Sequence, residues 1–394
     1  MLFISCKEGK KSVEKIDFIT EYKFNSEIES ELKADTTDWK YQISSTEYAT
    51  KGSYKNAIKD SDLDNVSPPE VYSEKQLDSI KLKYKTVSAK DYIIAQSKLN
   101  TVIIINEAHH VSSHRVFTKS LLQELYDNGY KNLGVEALGN GKEMDSLLSK
   151  RMYPIQKTGY YTKEPQFGNL IREALLIGYK LFPYETTNRE GGKPREIAQA
   201  KNIQEMMEKY PDEKFLIHCG YAHVLEGSIP DWEKTMAGRL TEYTGINPLT
   251  INQTFYTEKS KKEYNSPLLN SLDIKNPSVL IDANNKPFRY NRGESWADIA
   301  IFHPETEYVN DRSNWLFSNG NKNIQIDIDD IAISFPVMIF AYKKGEAINT
   351  SVPVDIYEVA NKNIKPHLAL KKGAYEIVIV NKEKEARKFE IEVN

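Results

Sequence analysis

The spacing of apolar positions changes twice along the chain. Residues 7–90 are polar, with helical rather than alternating spacing. Asp35-Thr36-Thr37-Asp38 offers N-caps for a helix carrying Trp39, Tyr41, Ile43 and Tyr48. Gly52 breaks it, Tyr54 to Ile58 opens a second helix, and Ser67-Pro68-Pro69 closes the pair. This region is expected to be a packing extension without chemistry. From about 88 to 256 the pattern becomes strand, helix, strand, helix. Thr101 to Ile105 is a β-branched apolar run suited to a strand buried on both faces. A helix follows, capped near Ser112 or Ser113, with Val116, Phe117, Leu121, Leu122 and Leu125 on one side and Gly129 ending it.

Further strands are expected at Leu133-Gly134-Val135, Lys180 to Tyr184, Lys214 to Ile217 and Pro248 to Ile251, with Pro183 demoting the second of these to an edge. Helices are expected over Leu170 to Ile177, Arg195 to Tyr210 and Asp231 to Tyr243. Ser278 to Ala283 and Ala297 to Phe302 add strands. Such alternation with short links means a mainly parallel sheet flanked by helices. After Gly320 the helical period disappears. Runs such as Ile324/Ile326/Ile328 and Tyr375/Ile377/Ile379 alternate instead, and Lys371-Lys372-Gly373 is expected to make the last tight turn. This predicts a C-terminal antiparallel β-sandwich.

Composition narrows the function classes. The 394 residues suggest more than one domain. With 40% hydrophobic residues the chain can build a sizeable core. Lys plus Arg (53) against Asp plus Glu (56) leaves −3, which gives no reason to expect nucleic acid as a partner. No apolar run is long enough for a transmembrane helix. Two cysteines, Cys6 and Cys219, exclude a disulfide framework and a Cys-rich zinc module. Met1-Leu2-Phe3-Ile4-Ser5-Cys6 looks like the end of a bacterial lipoprotein signal, with Cys6 as the lipidated residue and a charged tether after it. The expected parts are a tether at 1–20, a helical extension at 21–95, the α/β domain at 96–320 and the sandwich at 321–394. Membrane contact is expected only through the lipid anchor, at the outer-membrane or periplasm-facing side of the cell envelope.

Five of the seven histidines lie between residues 109 and 223. The first strand runs into Asn106-Glu107-Ala108-His109-His110, the second into Glu136, the third into Glu185, and the fourth into His218-Cys219-Gly220-Tyr221-Ala222-His223. In open α/β sheets the C-terminal edge is where ligands bind. Glu107, His109, Glu136 and His223 are therefore expected to share one site. Each also has a plainer reading: a lone Glu at a strand end is commonly a cap partner. His110 and His114 are four apart, so a helix would set them on one face as a metal pair, although first-turn histidines are commonly just solvated. His303 would face the same edge, His367 is expected to be structural, and Cys219 a buried thiol.

These residues resemble a known superfamily. Asn106-Glu107-Ala108-His109 resembles the G-E-x-H motif of the domain shared by Tiki-type metalloproteases, TraB/GumN proteins, ChaN-like haem-binding proteins and erythromycin esterases. Asn106 stands in the Gly position. Because Asn tolerates left-handed backbone better than other non-Gly residues, the turn is expected to survive. Gly220 to Gly227 looks like the second, G-x-x-H motif. Glu136 is similar to the acid between them, and Arg195-Glu196 with Ala200-Lys201-Asn202 resembles the R-[DE]-x-x-x-A-x-N helix of the erythromycin esterase branch. The four motifs, in order, span roughly 98–305.

The resemblance implies hydrolysis of an amide or ester in a small-molecule or peptide substrate. Glu107, His109, Glu136 and His223 would hold a divalent metal (Zn, Mn or Co) or activate water directly. Arg195 would neutralise the acid cluster or bind an anionic group on the substrate, with Glu185 and His110 beside it. The alternative is a haem- or iron-complex-binding lipoprotein without turnover, with His109, His110 or Tyr221 as axial ligands.

Overall fold

The structure, a computed structural model, describes residues 14–64, 71–188, 190–329 and 331–394. Cys6 and Ser67-Pro68-Pro69 lie outside the described residues. Eight strands form the central sheet: β1 (Lys85–Ser88), β2 (Val102–Glu107), β3 (Tyr130–Val135), β4 (Lys180–Phe182), β5 (Lys214–Gly220), β6 (Leu249–Tyr256), β7 (Ser278–Ile281) and β8 (Ile299–Phe302). Their order is β1-β7-β8-β6-β2-β5-β3-β4, and the six from β8 to β4 are parallel. β7 runs antiparallel to β8 and to β1. The architecture is mixed α/β, a sheet with a parallel centre accompanied by antiparallel sheets.

The longer helices are α1 (Asn25–Ala34), α2 (Lys40–Thr50), α3 (Tyr54–Asp64), α4 (Glu74–Lys83), α5 (Ala89–Ser97), α6 (Ser112–Asp127), α7 (Pro165–Ile177), α8 (Gly192–Lys209) and α9 (Met236–Thr244). Alternation along the strands divides the core in two. Ile103, Ile105, Leu133 and Val135 pack with Leu121, Leu122 and Leu125 of α6 and Leu170, Ile171 and Ala174 of α7. Val102, Ile104, Phe215 and Ile217 pack with Ala200 and Ile203 of α8 and Met236 and Leu240 of α9. A side-chain period of two makes this division. Each fully buried aliphatic side chain contributes about 1.5–3 kcal/mol.

Several boundaries differ from expectation for local reasons. The helix expected from Asp231 begins at Met236, because Asp231 and Glu233 have φ of 68° and 61°, which no α-helix accepts. Lys371-Lys372 is a crossing between sheets. His367–Leu370 pairs with Lys322–Gln325, whereas Gly373–Asn381 pairs with Val337–Lys343 and Glu385–Val393. The last tight turn is at 382–384, where Lys384 has φ 63° and donates to the Asn381 carbonyl. The expected tether also reaches into the fold. Glu14–Lys15 adds an edge strand beside Glu385–Val393, and Ile16, Tyr22 and Phe24 cover Met338, Phe340 and Val378 on one face of that sheet. The opposite face carries its own core of Ile339, Ile377 and Ile379 against Ile324 and Leu368. The extension expected at 21–95 also gives up its end, since β1 and α5 belong to the central sheet and its helical layer. Among the described residues no helix is long and apolar enough to cross a membrane.

Candidate active site

Register brings the candidate residues to one level. Glu107 ends β2 opposite Gly220 of β5, and Val135, just before Glu136, lies opposite His218. β5 separates β2 from β3 and all three run parallel, so the residues after these strands meet at one edge of the sheet.

The first half of the site is built around Glu107, which is 1% exposed. Arg115, in the first turn of α6, clamps both carboxylate oxygens, with Nε and Nη2 each at 2.6 Å. Arg115 also donates to Glu164 Oε2 at 2.9 Å and to the His109 carbonyl at 2.9 Å, and its guanidinium lies over the Phe167 ring. Glu164 is the N-cap of α7 and accepts from the backbone N–H groups of Gln166 and Phe167. Tyr54 of α3 donates its hydroxyl to the same carboxylate at 3.2 Å, so the helical extension touches the site's support. Burial opposes ionisation of Glu107, but Arg115 and His109 outweigh it and hold the carboxyl far below the usual range.

Glu107 Oε1 lies 3.0 Å from His109 Nδ1. The ring is stacked on Tyr161 at 3.8 Å and meets Tyr221 edge-on. This leaves Nε2 turned towards Gly220 and Glu136. A Cβ added at Gly220 would stand 2.7 Å from His109 Nε2 and 3.6 Å from Glu136 Oε1. Gly220→Ala should therefore drive the His109 ring off Tyr161 and Glu107, costing about 1–3 kcal/mol of stability in urea unfolding. An equally stable variant would contradict this packing.

The second half centres on Arg195 of α8. It bonds Glu136 Oε1 at 2.7 Å and both oxygens of Glu185, and its Nη1 lies 3.1 Å from His223 Nε2. The other Glu136 oxygen accepts the Gly220 N–H at 2.6 Å. For Arg195 to donate to Nε2, His223 must carry its proton on Nδ1, which faces the wholly buried Glu196 at 2.8 Å. Glu196 also accepts the Met236 N–H that opens α9. Burial disfavours a charged His223, but Glu136 and Glu196 together hold its pKa above the ordinary imidazole value. Burial likewise opposes the Glu136 anion, and His223, His109 and Arg195 hold its carboxyl below the usual range. Trp232 stacks on the His223 ring.

Glu107, His109, Glu136 and His223 thus lie in one connected cluster, with Glu185 and Arg195 joined to it. Of the two roles expected of Arg195, its contacts are those of neutralising the acid cluster. His110 lies at the margin. Its Nδ1 is 3.2 Å from the Tyr221 hydroxyl and 3.4 Å from Ser61 Oγ, and burial lowers its pKa to about 3. His114 does not pair with it. His114 Nδ1 accepts the Ala108 N–H at 3.1 Å, and its ring packs on His303. His303 lies behind the site, bonded to Gln253. His367 is in the C-terminal sheet, bonded to the Lys365 carbonyl. Cys219 is buried, which pushes its thiol well above the ordinary value and away from nucleophilic use.

Asn106 corrects the turn expected from the motif. It lies within β2 and is wholly buried. Its Oδ1 accepts the Gln253 N–H at 2.8 Å and its Nδ2 donates to the Tyr221 carbonyl at 2.6 Å. The left-handed residue is Tyr221, with φ 39°, and the Asn106 amide holds that strained peptide in place.

The four expected ligands do not fit a divalent cation as they are arranged. Guanidinium groups already occupy Glu107 and Glu136, and His223 is engaged at both nitrogens. Among the described residues no group of three or more His, Cys, Asp or Glu side chains is placed to hold a metal ion.

Sequence reading missed Arg115, Glu164 and the role of Glu196. Arg115 lies seven residues before Leu122 on the core-facing stripe of α6, where a charge must be paired. Glu164 precedes Pro165, a helix-start signal.

No family model matches the sequence, and no curated protein matches it. Three solved structures show a distant likeness. The type III effector HopBA1 is 13% identical over 45% of this chain and 91% of its own, with a TM-score of 0.30. RRSP, a MARTX toxin effector domain from Vibrio vulnificus CMCP6, is 17% identical over 54% of this chain and 44% of its own, with a TM-score of 0.29. A chain described as bacterial protein toxins is 12% identical over 55% of this chain and 45% of its own, with a TM-score of 0.31. At these TM-scores the likeness carries no conclusion about this chain.

Proposed function

We propose that the protein is a hydrolase of an ester or amide bond that activates water with side chains alone. The observation that carries this reading is the Glu107–His109 pair, a buried ionised carboxylate 3.0 Å from Nδ1 with Nε2 turned into the cluster. Glu107 fixes the tautomer, so that Nε2 is the basic nitrogen. His109 takes a proton from water, the hydroxide adds to the carbonyl carbon, and the same imidazole returns the proton to the leaving oxygen or nitrogen. Glu107 stabilises the transient imidazolium. Arg195 places positive charge beside Glu136, where a developing oxyanion gains from it. The order of the four motifs supports kinship with the Tiki, ChaN and erythromycin esterase group, and with it a place at the cell envelope, anchored through Cys6.

Aryl ester and peptide amide probes test this with purified protein. Turnover should persist in EDTA and fall about 100- to 10,000-fold in His109→Gln, with unfolding unchanged within about 1 kcal/mol. Loss of turnover in EDTA, restored by Zn, Mn or Co, would establish the metal-dependent alternative. A Soret band on adding haemin, with neither probe hydrolysed, would replace catalysis by haem binding.

A further inference from the structure

A second site lies away from the candidate active site, where α6 and α7 meet the C-terminal sheet. A cavity of about 40 Å³ is lined by Lys119 of α6, Arg172 and Glu173 of α7, Lys343 at the end of Val337–Lys343, and Lys371. That is room for a group of phosphate size, well short of a nucleotide or a haem.

The charges around this cavity do not balance. Arg172 is paired with Glu346 at 2.5 Å, and Lys371 with Glu173 at 2.9 Å. Among the described residues, Lys119 and Lys343 have no carboxylate within ion-pair distance. Lys119 is 7% exposed, and its burial, with Lys371 nearby, lowers its pKa to about 8. Long cationic side chains are almost never buried unless paired. Packing alone would be better served by methionine, which has nearly the same length.

We propose that this cavity binds a phosphate-sized dianion, inorganic phosphate or the phosphoryl group of a small phosphomonoester, between Lys119 and Lys343. Lys119 is buried without a counter-charge of its own, and the exposed Lys343 adds a second positive charge to the same cavity, so a tetrahedral dianion matches the pair better than a monocarboxylate. The ligand would bridge the central sheet's helical layer and the C-terminal module, since each contributes one of the two lysines. Binding to the folded state alone would also stabilise the protein by mass action. The proposal is independent of the hydrolytic reading, because none of these residues belongs to that site.

Isothermal titration of the full chain with sodium phosphate, and separately with glycerol 3-phosphate, at ionic strength fixed with chloride, tests it. One saturable site is expected, with the thermal midpoint rising as phosphate is added. Lys119→Met and Lys343→Met should each weaken binding about tenfold or more, the loss of one charge-assisted contact, while Lys119→Arg retains it. Lys131→Met, a lysine elsewhere on the surface, should bind like the parent. Saturation by glycerol 3-phosphate alone identifies a phosphomonoester as the ligand, and by phosphate alone the free ion. No saturable heat with either compound up to about 10 mM, near the weak limit of specific binding, would overturn the proposal. So would equal binding by Lys119→Met, Lys343→Met and the parent.

Discussion

Replacing Arg115 with methionine should lower the unfolding free energy by about 3–5 kcal/mol, the usual cost of removing one partner from a buried ion pair. Arg115 is wholly buried and is the cation shared by two buried carboxylates, Glu107 and Glu164. Methionine fills part of the volume but leaves both acids without their counter-charge. Glu164 keeps the two N–H groups at the start of α7, and Glu107 keeps His109. Glu107 should therefore suffer more, and its carboxyl should rise from its depressed value as burial goes unopposed. Glu107→Gln in the Arg115→Met background removes the stranded charge and should recover part of the loss. Urea unfolding of the parent, the single variant and the double variant measures both effects. A single-variant loss under about 1 kcal/mol, or a double variant no more stable than the single, would mean that Arg115 is not the counter-charge that keeps Glu107 ionised.

The parts of the site legible in the sequence were those announced by strand ends. In β2, β3 and β5 an apolar run (Val102 to Ile105, Leu133 to Val135, Phe215 to Ile217) gives way directly to polar residues, so Glu107, Glu136 and the residues after Cys219 are assigned to one edge from the sequence. Arg195 is named only through the motif resemblance, and Arg115 is not legible, because it lies on a helix and sequence spacing does not say which strand a helix covers. Convergent carboxylates and imidazoles read as metal ligands from the sequence; in the structure Arg115 and Arg195 bond Glu107 and Glu136. Asn106 departs from its sequence pattern for a related reason. The apolar run stops at Ile105, yet the strand's ladder continues to Glu107 because the Asn106 side chain finds partners in Gln253 and Tyr221. At the N-terminus, Ile16, Phe18, Tyr22 and Phe24 alternate at a period of two, but the surrounding charge disguised a segment that lies over the C-terminal sheet.

Acid should weaken the fold well above the carboxylate range. Burial lowers His110 and His303 to about 3, against about 6.5 for an unfolded histidine. A depressed folded pKa means that the unfolded chain takes up the proton first. The stability these two rings contribute is complete above about pH 6.5 and is lost as pH falls towards 3, each at about 1.4 kcal/mol per pH unit. By pH 5 the pair should have removed roughly 4 kcal/mol, a large share of a typical domain's margin. His114, also lowered by burial and by its neighbour His303, acts in the same direction. His223 opposes them, because its pKa is raised in the folded state. Its contribution is complete below about pH 6.5 and fades as pH rises through the folded value. Glu107 and Glu136 are held low and add their own loss only below about pH 4.3, where unfolded glutamates begin to bind protons. Urea unfolding at half-unit steps from pH 7.5 to 5 gives the slope directly. His303→Gln should shift the whole curve, but the informative quantity is its slope, which should fall by about 1.4 kcal/mol per pH unit, one proton fewer on unfolding. An unchanged slope in that variant would mean that His303 already carries a proton in the folded protein.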